Sequence, residues 1–119
     1  MKDSILKQKT YDFAIKVIMV YKQIVSGHKE YILSKQFLKA GTAPGALVRE
    51  AEYAQSKSDF ISKMSIALKE ANECEYWTSL LRDSGFIAVE TADDLLKDDK
   101  EIISMLVSTI KTAKANLNK

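Results

Sequence analysis

Leu6, Thr10, Phe13, Val17, Val20 and Ile24 follow one another at steps of three and four residues. Two such steps make two turns of helix, so these positions share one stripe and predict a helix from about Ser4 to Ser26. A flanking stripe of Ala14, Ile18, Tyr21 and Val25 widens the apolar face. Gly27 suits the left-handed position that stops a helix. A second helical stretch begins near Glu30 with Tyr31, Ile32, Leu33, Phe37 and Leu38. Gly41-Thr42-Ala43-Pro44-Gly45 interrupts it before Ala46, Leu47, Val48 and Ala51 resume the period. Two readings fit: one long helix kinked at Pro44, or a short helix to Lys39 and a new one capped by Thr42. The kinked helix is favoured, because no polar loop separates the halves.

Ser56-Lys57-Ser58-Asp59 supplies cap chemistry for a third helix, Lys57 to Ser84. Its seam is Phe60, Met64, Ala67, Ala71, Cys74 and Leu81, flanked by Ile61, Leu68, Trp77 and Leu80, with Ser84-Gly85 as the stop. Thr91, followed by Asp93 and Asp94, predicts the start of a fourth helix, with carboxylates at the positive end of its dipole. That helix carries Leu95, Leu96, Ile102, Ile103, Leu106, Val107 and Ile110 and ends among Lys111, Lys114 and Lys119. Short links between long amphipathic helices make neighbours antiparallel. The fold class is therefore all-α, an up-and-down four-helix bundle over residues 1–119.

The apolar faces are wider than one bundle seam needs, which predicts self-association. Tyr76 and Trp77 are adjacent, so they point about 100° apart and cannot both lie in one core stripe. One of them is either a boundary residue with its polar tip in water or part of a subunit interface, where such aromatics concentrate.

Composition narrows the class. A chain of 119 residues fits one domain. One Pro and four Gly are too little punctuation for an all-β protein. The single Cys74 excludes an internal disulfide. The start, MKDSILKQKTYD, is charged where a signal peptide is apolar, and the longest apolar stretch lies between Lys16 and Lys22. A cytoplasmic, membrane-free protein is the expectation.

The net charge of +2 hides a lopsided distribution. Residues 1–39 hold eight Lys against three acids, whereas residues 90–101 hold six acids against two Lys. Lys2, Lys9 and Lys16 repeat every seven residues and line one face of the first helix, with Lys22 and Lys29 beyond. Such a stripe is a candidate contact for the phosphates of DNA or RNA, with the acidic run expected elsewhere on the surface. A solvated face explains the same spacing, and no aromatic residues interleave to stack on bases.

Other chemistry is thin. Di-iron bundles need Glu-x-x-His pairs, but the sole His28 is preceded at that distance by Val25. Glu70, Glu73 and Glu75 cluster without a second ligand set. Cys74 lies between Glu73 and Glu75, where negative charge disfavours a thiolate. The Gly41–Gly45 segment lacks the Gly-Lys-Ser/Thr of a phosphate loop. The residues thus point to no catalytic, cofactor or metal site.

The run from Leu33 through Phe37, Ala40-Gly41, Pro44-Gly45 and Val48 to Ala51 resembles the four helix bundle proteins known as 23S rRNA intervening-sequence proteins. Ser56-Lys57-Ser58-Asp59-Phe60-Ile61, Ile66-Ala67-Leu68-Lys69-Glu70-Ala71, Tyr76-Trp77 and Gly85-Phe86-Ile87 extend the resemblance in the same order and spacing. The chain departs from the family pattern at Pro44, where Ile is common, at Leu47, where Asn is common, and at Arg49. The resemblance implies a left-handed bundle assembling into a homopentameric ring. It also implies kinship with the accessory variability protein of diversity-generating retroelements, which binds a reverse transcriptase and nucleic acid. Two expectations follow: a non-enzymatic, nucleic-acid-associated scaffold, or a protein-interaction oligomer with no nucleic-acid role.

Overall fold

A computed structural model describes residues 2–117, and side chains from Ile5 onward. Among them the chain forms four helices: α1 (Lys2–His28), α2 (Leu33–Glu52), α3 (Lys57–Asp83) and α4 (Val89–Ala115). Each packs against its two neighbours in the cycle α1–α2–α3–α4–α1. The result is a rod of 52 × 21 × 20 Å.

The three-four stripes build the core. All six seam positions of α1, from Leu6 to Ile24, are buried. So are Met64, Ala67, Ala71, Cys74 and Leu81 of α3, while Phe60 stays half-buried at the rim. On α4 the buried line is Leu95, Asp99, Ile102, Leu106 and Ile110. α2 is one helix through Pro44, as favoured from sequence, and Pro44 itself is buried. Thr42 does not start a new helix; its hydroxyl donates back to the Leu38 carbonyl at 2.8 Å. The close approach of α1 and α2 depends on Gly41, where an added Cβ would stand 2.6 Å from a methyl of Val17.

The helix ends depart from expectation at three places. α1 runs past Gly27, and Lys29 takes the left-handed position (φ 53°). Its N–H donates to the Val25 carbonyl at 3.1 Å. α2 starts at Leu33 instead of near Glu30, because the Glu30 carboxylate reaches forward as the cap. It accepts from the N–H groups of Ile32, Leu33 and Ser34 at 2.7–2.9 Å. Burial works against that charge, but the three N–H donors hold the Glu30 carboxyl below its usual range. α4 starts at Val89, two residues before Thr91, with no side-chain cap.

Both ends of α3 follow the sequence. The Ser56 hydroxyl accepts from the Asp59 N–H at 3.0 Å. Gly85 (φ 83°) closes α3, with Phe86 N–H donating to the Leu81 carbonyl and Gly85 N–H to that of Arg82.

Candidate interaction surfaces

α4 runs antiparallel beside α1, which brings the acidic run onto the lysine stripe instead of leaving it elsewhere. Lys9 forms a close ion pair with Glu101. Lys16 reaches Asp98 at 2.7 Å and Asp94 at 3.0 Å. Lys7 bridges to Glu52 of α2 at 2.9 Å. Hydrogen bonds to Asp98 and then Asp94 raise the Lys16 pKa, and Lys9 lowers that of Glu101. Exposed pairs of this kind contribute little to stability, because water and salt screen them. Their effect on the surface field is larger, since they cancel the charge of Lys9 and Lys16. The Lys2 side chain lies outside the described residues. Lys22 and Lys29 are exposed and form no ion pair among the described residues.

Tyr76 and Trp77 differ in burial. Trp77 packs partly buried on the flank of the core, whereas Tyr76 faces outward, 60% exposed. Their rings meet edge to face at 5.1 Å. Beside them runs a groove of about 700 Å³ along the outer side of α3, lined by Leu68, Lys69, Asn72 and Glu73 among others.

α1 has an outward apolar line that the sequence reading passed over. Tyr11, Ile15 and Met19, one turn apart, are 51%, 46% and 53% exposed. Their i, i+4 spacing was visible, but the stronger seam on the same helix masked it.

Little here resembles chemistry. His28 packs edge-on against Phe86, ring centres 5.4 Å apart. Cys74 is buried, and desolvation first, then the Asp99 charge, pushes its thiol up, so it is a poor nucleophile. Its neighbour Thr78 donates to the Cys74 carbonyl at 2.7 Å. Among the described residues no three His, Cys, Asp or Glu side chains gather as a metal-ligand set. No helix among them is long and apolar enough to cross a membrane.

Asp99 stands apart. It is 1% exposed, and neither carboxylate oxygen has a hydrogen-bond partner. Desolvation and then the charge of Glu75 push it up to about 8. Asp99 therefore departs from the acidic surface run in which it sits. The signal for that was its place between Leu95 and Ile102, on the three-four seam of α4.

No curated protein matches the chain. A crystal structure described as a protein with unknown function from the S23 ribosomal protein family of Bacteroides thetaiotaomicron does. It is 48% identical, covers 93% of this chain and 99% of its own, and superposes with a TM-score of 0.91. The sequence profile described as 23S rRNA-intervening sequence protein matches residues 2–108. With that match over most of the chain, and the four-helix architecture it accompanies, this protein belongs to the 23S rRNA-intervening sequence protein family.

Proposed function

We propose that this protein is a non-enzymatic, self-associating scaffold whose copies join head to tail into a ring. The observation that carries the reading is the outward apolar line of Tyr11, Ile15 and Met19 on α1. Three large side chains about half exposed in one line offer on the order of 300 Å² of apolar surface, the size of the largest patch on a typical monomer, and such patches often serve a contact.

A second, different apolar surface lies on the diagonal helix α3, around Ile66, Tyr76 and the groove beside Trp77. Two unlike patches on opposite sides of a rod favour a heterologous contact, which closes into a ring when the rotation per copy allows. The ion pairs that set α1 against α4, and Arg82 against Asp93, bring Ile15 roughly level with Trp77 and Thr78. A rotation without rise would therefore set apolar residues of one copy against apolar residues of the next. Five copies is the closure that the family resemblance implies.

Light scattering is the direct test. The wild type should have a mass several times the 13.4 kDa of one chain. Ile15→Glu and Tyr76→Glu should each give a helical monomer, because each places a charge in one half of the contact. A monomeric wild type at micromolar concentration would overturn the reading. Intact oligomers in both variants would place the contact on another face.

A further inference from the structure

We propose that the α1–α2 hairpin carries a binding site for single-stranded nucleic acid, formed by Lys22, Lys29, Lys35 and Lys39 around Tyr31. Self-association is not required for it, since all five residues belong to one copy.

Charge is sorted along α1. In its first half Lys7, Lys9 and Lys16 are each held by an acid of α2 or α4. In its second half, and on the adjoining part of α2, Lys22, Lys29, Lys35 and Lys39 are exposed without an ion pair among the described residues. The one acid between them, Glu30, spends its carboxylate on three backbone N–H groups of α2. The α3–α4 hairpin at the same end is acidic, with Asp83, Glu90 and Asp93 against Arg82, so the positive field is confined to the α1–α2 side.

Helix geometry places the lysines together. Arg49 of α2 stands 5.9 Å over the Tyr11 ring, so the Tyr11 side of α1 adjoins α2. Lys22 lies roughly three turns further along that same side, and Lys29 directly follows the end of α1. The packing of Gly41 on Val17 and the Lys7–Glu52 bridge set the antiparallel register. In that register Lys22 is level with Gln36, between Lys35 and Lys39. The turn that joins the two helices presents Tyr31 to solvent beside Lys29.

Lysines spaced along a surface neutralise successive phosphates, and an exposed aromatic ring gives an unpaired base a stacking platform. Tyr31 is what favours a single strand over a duplex, whose bases are already stacked.

Fluorescence anisotropy with a labelled oligouridine of about 20 nucleotides tests the site. The intact protein should bind at low salt and weaken steeply as salt rises, with a logarithmic slope of roughly −0.7 per phosphate neutralised. Tyr31→Ala should weaken single-strand binding roughly five- to hundredfold while leaving the weaker binding of a duplex of the same length unchanged. Replacing all four lysines by Gln should abolish binding of both and leave the helical circular dichroism intact. Lys9→Gln with Lys16→Gln should change nothing, because internal acids already occupy those groups. No binding at low salt, or equal binding by the four-lysine variant, would overturn the proposal. So would binding to anionic lipid vesicles with none to oligouridine, which would make the patch a membrane contact. If the Gln variant loses helicity, Lys29→Gln with Lys35→Gln replaces it, with an intermediate loss expected and no loss fatal to the proposal.

Discussion

Asp99 shows how one buried group couples the fold to pH. Its carboxyl feels the charge of Glu75 of α3, while Lys9 and Lys16 of α1 are occupied by Glu101, Asp94 and Asp98. An ordinary aspartate titrates at 3.8, and this one is pushed up to about 8. Between those values the native state keeps a proton that the unfolded chain has released, so stability falls as pH rises through that window and levels off above it. Each pH unit there costs on the order of 1 kcal/mol. Asp99→Asn, neutral and of nearly the same shape, removes the coupling. Urea melts at pH 5, 7 and 9 should show the variant gaining on the wild type by a few kcal/mol across the range. Parallel stabilities at all three values would mean that Asp99 is solvated or paired after all. The sequence did hold the clue to this residue, in its spacing from Leu95 and Ile102. It was obscured because Asp93, Asp94, Asp98 and Glu101 around it do face water, and a run of acids reads as one surface.

The helix pairs differ in how closely their backbones approach. At Gly41 an added Cβ would come within 2.6–3.1 Å of three side-chain atoms of Val17, a fully buried, β-branched residue with no room to turn. At Gly45 the nearest atom is the Thr10 carbonyl oxygen at 3.4 Å, an ordinary contact. In an isolated helix both glycines would gain up to ~1 kcal/mol on becoming alanine. In the bundle Gly41→Ala should instead destabilise by about 1–3 kcal/mol as α1 and α2 are forced apart. Gly45→Ala should be neutral or mildly stabilising. Thermal melts of the two variants decide it, and equal shifts would mean that the α1–α2 spacing is not set by Gly41. Much of this level was legible beforehand. The seams of α1 and α3, the Ser56 cap and the Gly85 stop follow from period and local hydrogen bonding alone. The ends that went wrong are those decided at a distance: Glu30 reaching forward to cap α2, and Lys29 accepting the strained turn in place of Gly27. Which lysines stay free was equally hidden, because it depends on which helix lies next to which.

For the molecule as a whole, three of the four seams are closed by a short connection and one is not. α1 meets α2, α2 meets α3 and α3 meets α4 through tight turns, whereas α1 meets α4 only by side chains. That unlinked seam carries the Lys9–Glu101 and Lys16–Asp98/Asp94 ion pairs. The start of α1 and the end of α4 also leave the rod at the same end. Tension applied through them would therefore load the seam as a peel, one rung after another, and not as a shear that strains every contact at once. Lys9–Glu101 would part first and Lys16–Asp98 after it. Optical-tweezer pulling on the two ends should give a low opening force that drops further as salt screens the rungs. Pulling instead between residues at opposite ends of α1 and α4 loads the same contacts in parallel and should need a markedly higher force. A force indifferent to both salt and pulling points would mean that the apolar core, not this seam, yields first.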